Sequence, residues 1–130
     1  MMSATAAERS GITPLASPVG CSLPAVDPRY KGIRPVPAIS QLLEKTVVEA
    51  HDIDVWEINE AFAAQALAVV KDLGFDPAAV NPKGSGVSRG HPFGATGTHL
   101  TVKAIADLQQ AGGRYAVISM CIGGGQGIAA

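Results

Sequence analysis

Charge is what this sequence has least of. Asp, Glu, Lys and Arg make up 16% of its 130 residues, against roughly a quarter in soluble domains. Ten Lys and Arg against eleven Asp and Glu leave a net charge of −1, so there is no basic field to attract nucleic acid or an anionic membrane. No apolar run approaches the about 18 residues that would cross a bilayer. The two cysteines, Cys21 and Cys121, cannot build a multi-bridge framework and lie outside any close-set zinc spacing, so no metal is expected. The opening MMSATAAERSG has neither a basic leader nor an apolar stretch, which leaves the cytoplasm as the expected compartment. A phosphate loop of the form GxxxxGK[ST] is absent. The series Gly84, Gly86, Gly90 runs one residue late for a dinucleotide fingerprint, which makes a nucleotide-binding module a poor reading.

What remains is apolar and compact. Hydrophobic residues at 47% suit one core, and the length suits one domain. So little charge implies a large face buried against other protein, and hence an oligomer or a missing partner. Residues 1–13 read as a loose terminus and 14–130 as the domain. From Leu15 to Val26, Val19, Cys21, Leu23 and Val26 sit among small residues with Pro18 and Pro24, a weak edge-strand pattern. Asp27 to Pro37, with three prolines, reads as a loop.

Ile39, Leu42, Leu43 and Val47 share a helix face that ends near Ala50, and Ile53 to Ile58 reads as a buried strand. Phe62, Ala66, Val69, Val70 and Leu73 then recur at helical spacing before Gly74, so Asn59 and Glu60 stand at a strand-to-helix junction. After the glycine-rich stretch from Asn81 to Gly97, Leu100, Ala104, Ile105 and Leu108 mark a third helix stopped by Gly112 and Gly113. The run YAVISMCI, Tyr115 to Ile122, reads as a central strand. Helices alternating with strands predict an α/β fold with a largely parallel sheet, and ligand chemistry in such sheets gathers beyond the carboxyl ends of the strands. Asn59, His91 and Cys121 all fall there.

Each of the three has a chemical reading and a bland one. His91 precedes Pro92 in GSGVSRGHPFGATG, where five glycines between Gly84 and Gly97 let a ligand approach closely. It is equally well a histidine tucked under a loop on a carbonyl. Cys121 opens CIGGGQG, whose backbone N–H groups could face a developing oxyanion, or it is an inert thiol before a turn. Asn59 in EINEAFAAQ caps the helix from Ala61, or its amide holds a water. Cys21, His51 and His99 read as a strand residue, a solvated turn residue and a helix-surface residue.

Taken together, NEAFAAQ, GHPFGATG and the terminal CIGGGQG, in that order, with VDPRYKGIRPVPAI before them, resemble the C-terminal signature blocks of the thiolases. The resemblance runs from about Pro14 to Ala130 and covers only the C-terminal part of such an enzyme. It implies a thiolase-like C-terminal half with a mostly parallel mixed sheet covered by helices, its last strand truncated. It also implies acyl-CoA acyltransfer in fatty-acid metabolism, either thiolysis of 3-ketoacyl-CoA or condensation of acyl-CoA units. Coenzyme A is then a substrate and no cofactor is needed.

The roles implied are specific. His91 activates a nucleophilic thiol and, with a water held by Asn59, binds the thioester oxygen. Cys121 shuttles the proton at the α-carbon or the CoA sulfur, the Gly123 N–H serves a second oxyanion hole, and Phe62 lies near the pocket wall. The nucleophilic cysteine belongs to the family's N-terminal half, and neither cysteine here stands in its motif. The chain is therefore expected to be inactive alone, its partners being the missing N-terminal half or a full-length thiolase subunit. A catalytically dead protein docking on a complete thiolase is the alternative. Arg89 places an unexpected charge beside GHP, expected to depress the basicity of His91.

Overall fold

A computed structural model describes residues 1–130, the Lys31 side chain excepted. Strand β1 (Val55–Ile58), strand β2 (Ala116–Cys121) and strand β3 (Gly127–Ala129) form one mixed sheet in the order β1-β2-β3. β1 and β2 are parallel, with Val55 opposite Ala116 and Ile58 opposite Ser119, while β3 returns antiparallel with Ala129 opposite Ser119. The sheet is thus half parallel rather than largely so, because a glycine hairpin after Cys121 turns the chain straight back.

Helix α2 (Pro35–Thr46) and helix α3 (Ala63–Leu73) supply one side of the core. Ile39, Leu42 and Val69 pack there with Trp56, Ile58 and Val117, and Phe75 tilts against Trp56 at 4.1 Å between ring centres. The other side of the sheet meets helix α5 (Thr96–Ala111), stopped as expected by Gly112 in the left-handed conformation (φ 64°). Alternation along β1 sends Trp56 and Ile58 one way and Glu57 the other, and Glu57 reaches Lys103 of α5. An apolar groove of about 720 Å³ is lined by residues of α2, α5, the start of β2 and the segment 15–20.

Three expectations need correcting. Asp27–Pro37 is not a loop: Pro28–Ile33 forms a 3-10 helix and α2 starts at Pro35. Proline is tolerated in a first helical turn, where its missing N–H has no intrahelical partner to lose. Leu15–Val26 forms no regular strand and touches the sheet edge only through bridges at Ser22 and Ala25. Within the stretch read as loose, helix α1 (Ala4–Arg9) is capped by the Ser3 hydroxyl and buries Ala7.

Arg34, buried just before α2, holds the β2–β3 hairpin by donating through Nη1 to the Ile122 carbonyl. Its own carbonyl oxygen lies 2.2 Å from where a Cβ on Gly127 would sit. Gly127→Ala forces backbone against backbone at that crossing, and we expect it to destabilise the chain by about 1–3 kcal/mol, read as a lower urea midpoint at unchanged slope.

Candidate active site at the carboxyl edge of the sheet

Asn59 follows β1 directly. Its backbone N–H donates to Ser119 O at 2.8 Å, which keeps it on the ladder with β2, and its side chain is buried at 1% exposure. It does not cap a helix: α3 begins at Ala63 behind Phe62, with no side-chain cap. The amide instead follows Glu57 onto the face of the sheet that α5 covers, and there it meets His91.

The imidazole is held at both ends. Asn59 Nδ2 lies 3.3 Å from His91 Nε2, and Thr96 Oγ1 lies 2.7 Å from Nδ1. Thr96 donates its hydroxyl proton to Pro92 O at 2.9 Å, so it accepts from Nδ1–H. Nε2 is then the nitrogen with the free lone pair, and the Asn59 amide donates towards it. Phe93, largely exposed, sets its ring edge-on to the imidazole at 4.9 Å. Asn59 Oδ1 is buried without a partner among the described residues.

The loop carrying His91 is pressed onto the end of β1. A Cβ on Gly86 would meet Glu60 O at 2.7 Å and Asn59 Oδ1 at 3.0 Å, so glycine alone allows this approach. Short helix α4 (Gly86–Arg89) precedes His91, and the Val87 N–H donates to Glu60 Oε2 at 3.1 Å. Glu60 Oε1 accepts from Asn81 Nδ2 at 3.2 Å. Asn81, itself in the left-handed region (φ 51°), uses its side chain as a strand surrogate. It accepts from Ile58 N at 2.8 Å and donates to Ile58 O at 2.7 Å. The Arg89 guanidinium turns back along the loop and donates through Nε and Nη2 to Lys83 O at 3.0 and 2.8 Å.

Cys121 is a free, half-buried thiol at the end of β2. Because β1 and β2 are parallel, it leaves the sheet at the same edge as Asn59, two residues or about 7 Å beyond Ser119. No hydrogen bond among the described residues joins it to Asn59 or His91. Gly123 opens the following turn, with Gly124 (φ 66°) and Gly125 (φ 80°) at its centre and Gln126 N donating to Gly123 O at 3.3 Å. Two successive left-handed residues are what a tight hairpin requires. The Gly123 N–H has no partner among the described residues. Phe62 is exposed at the start of α3. Amide and imidazole are therefore in contact, with thiol and glycine turn at the same sheet edge. Thr96, Glu60 and Asn81 build the site without standing out in the sequence. An asparagine just before Pro-Lys-Gly hinted at a left-handed corner, but nothing local shows what its amide binds. No group of three or more His, Cys, Asp or Glu among the described residues could hold a metal ion.

The imidazole is oriented by a hydroxyl, an amide sits on its far nitrogen and a thiol ends the next strand; the chain belongs to the thiolases. Residues 12–130 match the family model described as thiolase, C-terminal domain. Beta-ketothiolase BktB of Cupriavidus necator is 58% identical over the whole of this chain, which spans 33% of that relative. The mitochondrial 3-ketoacyl-CoA thiolase of Bos taurus is 48% identical over 95% of the chain and 31% of its own length. Among solved structures, the Bacillus anthracis acetyl-CoA acetyltransferase superposes with a TM-score of 0.94 at 49% identity, over 98% of this chain and 32% of that one. Human mitochondrial 3-ketoacyl-CoA thiolase in complex with CoA gives the same TM-score at 46% identity, again over 98% of this chain and 32% of that one. The chain thus spans about a third of the length of the relatives it matches. No helix among the described residues is long and apolar enough to cross a membrane.

Proposed function

We propose that the chain supplies the acid–base and oxyanion groups of a thiolase-type acyltransferase, acting on acyl-CoA with coenzyme A as co-substrate. The observation that carries this reading is the 3.3 Å approach of the Asn59 amide to His91 Nε2, with Nδ1 engaged by Thr96. In thiolysis a cysteine thiol from outside these 130 residues gives its proton to His91 Nε2 and attacks the keto carbon of a 3-ketoacyl-CoA. The bond between α-carbon and keto carbon breaks. The α-carbanion of the leaving acetyl-CoA takes a proton from Cys121, whose thiolate then deprotonates the incoming CoA thiol. That sulfur attacks the acyl-cysteine, which releases the shortened acyl chain as acyl-CoA and returns the enzyme thiolate.

Charge developing on the two thioester-type oxygens needs donors fixed in advance. Asn59 with His91 serves one, through a water held by the amide, and the unpartnered Gly123 N–H serves the other. Exposed Phe62 lies beside the acyl group. The low charge and the exposed Phe62, Leu67, Val87 and Phe93 support a face covered by the rest of a thiolase subunit or by an oligomer partner.

Purified chain is expected to give no thiolysis of acetoacetyl-CoA above buffer. A chimera in which it replaces the matching third of BktB is expected to turn over. Ordinary thiolase rates from the chain alone, or a folded chimera with no activity, would overturn the reading.

A further inference from the structure

Glu60 lies between the two halves of the site, and the chemistry just described does not use it. Its carboxylate spans two elements: Oε1 accepts from Asn81, whose amide is doubly bonded to the Ile58 backbone, and Oε2 accepts from the Val87 N–H. The other hydrogen bonds of residues 84–91 stay inside the loop, such as Arg89 N to Ser85 O at 2.9 Å and Gly90 N to Gly86 O at 3.0 Å, or reach Asn81, Lys83 and Thr96 rather than β1. Apart from the Asn59–His91 contact itself, the Val87–Glu60 bond is the hydrogen bond among the described residues that joins residues 84–91 to residues 55–60. Through the turn of α4, a fixed Val87 fixes Gly90 and hence the origin of His91.

We infer that Glu60 is a positioning residue that sets the distance between Asn59 and His91, by clamping the His91 loop to the end of β1 through Val87 and Asn81. This rests on the thiolase-type reading for its purpose but not for its geometry. Donor and acceptor roles along the chain are fixed. The Ile58 N–H must donate to Asn81 Oδ1, so Asn81 Nδ2 faces Glu60, and a backbone N–H at Val87 can only donate. A carboxylate satisfies both donors at once. A glutamine offers one oxygen and turns its own NH2 against the other donor.

Amide hydrogen exchange and the imidazole ¹⁵N resonances of His91 test the clamp in the 130-residue protein, with thermal melting as the fold control. Glu60→Ala is expected to speed exchange at Val87 by at least about tenfold, the factor that a charge-assisted hydrogen bond of ordinary strength supplies. It is also expected to shift the His91 ring nitrogens as the Asn59 contact opens. Glu60→Gln, which keeps the length but satisfies only one of the two donors, is expected to move Val87 exchange and the ring resonances in the same direction by a smaller amount. Unchanged Val87 exchange and unchanged His91 resonances in folded Glu60→Ala would overturn the inference. So would a folded Glu60→Gln protein in which both readouts stay at wild type, which decides the matter even if the alanine variant does not fold. Neither readout needs acyl-CoA or any segment beyond this chain, so the clamp can fail while the chimera turns over, and can hold while the chimera is inert.

Discussion

Thiolysis by the chimera with BktB falls by about 10³-fold in kcat when His91 becomes alanine, because that change removes both the base for the nucleophilic thiol and a donor at the thioester oxygen. Asn59→Ala acts on the second of these alone and lowers kcat by about 10²-fold. The two side chains meet at 3.3 Å, so their effects are not independent: the double variant loses about as much as His91→Ala rather than the product of the two. Steady-state thiolysis rates of the three variants, with circular dichroism to confirm folding, give the comparison. A loss below about tenfold for His91→Ala, or multiplicative losses in the double variant, would remove His91 from the role given to it. Thr96 belongs to the same unit, since its hydroxyl selects the nitrogen that stays free.

Periodicity exposed the frame of this site, because β1, α3, α5 and β2 each repeat apolar residues at the spacing of their own backbone. Junctions were less legible. Asn59 has the chemistry of a helix cap, yet a backbone bond to Ser119 holds it on the sheet and sends its amide to His91, a partner 32 residues away that no local pattern reveals. The three signature blocks named Asn59, His91 and Cys121 through resemblance, whereas the residues that orient them did not stand out. Glu60 looks like the first acid of a helix, and Asn81 like an ordinary turn residue. Their function is set by Val87 and Ile58, which meet them only in the fold. Buried charge escaped for the same reason. Lys103 and Asp107 are four apart on α5, the spacing of an exposed helix pair, but each is less than a tenth exposed.

Lys103→Ala carries the largest loss of stability we expect, about 3–5 kcal/mol at neutral pH, because it strands a fully buried carboxylate. Glu57 has no exposed surface and points from β1 at α5, where Lys103 Nζ donates to its Oε1. Its Oε2 has no partner among the described residues. Burial pushes the Glu57 carboxyl above its ordinary value of 4.5 against the opposing hydrogen bond and charge of Lys103, so removing the lysine pushes it further. For Asp107, burial works towards protonation, but hydrogen bonds from Lys83 and Lys103 outweigh it and hold the carboxyl below its ordinary value. Lys83, at 2.5 Å, remains when Lys103 is gone. The pH dependence follows from the Glu57 direction. A folded-state value above the unfolded one means that the folded chain holds the extra proton, so its contribution is full below the unfolded value and is lost as pH rises through the folded value. The deficit of Lys103→Ala should therefore shrink as pH falls from 7 towards the ordinary carboxylate range, as Glu57 takes up a proton and stops being an unpaired ion. Asp107 runs the other way, its contribution fading as pH falls, and it does so in both proteins. Replacing both partners, Glu57→Leu with Lys103→Met, removes the stranded charge and should recover most of the loss. Urea unfolding of the three proteins at pH 7 and pH 5 separates these terms. A Lys103→Ala deficit under about 1 kcal/mol, the ordinary range for an exposed pair, or one that grows on acidification, would show that Glu57 is not the buried ion this site is built on.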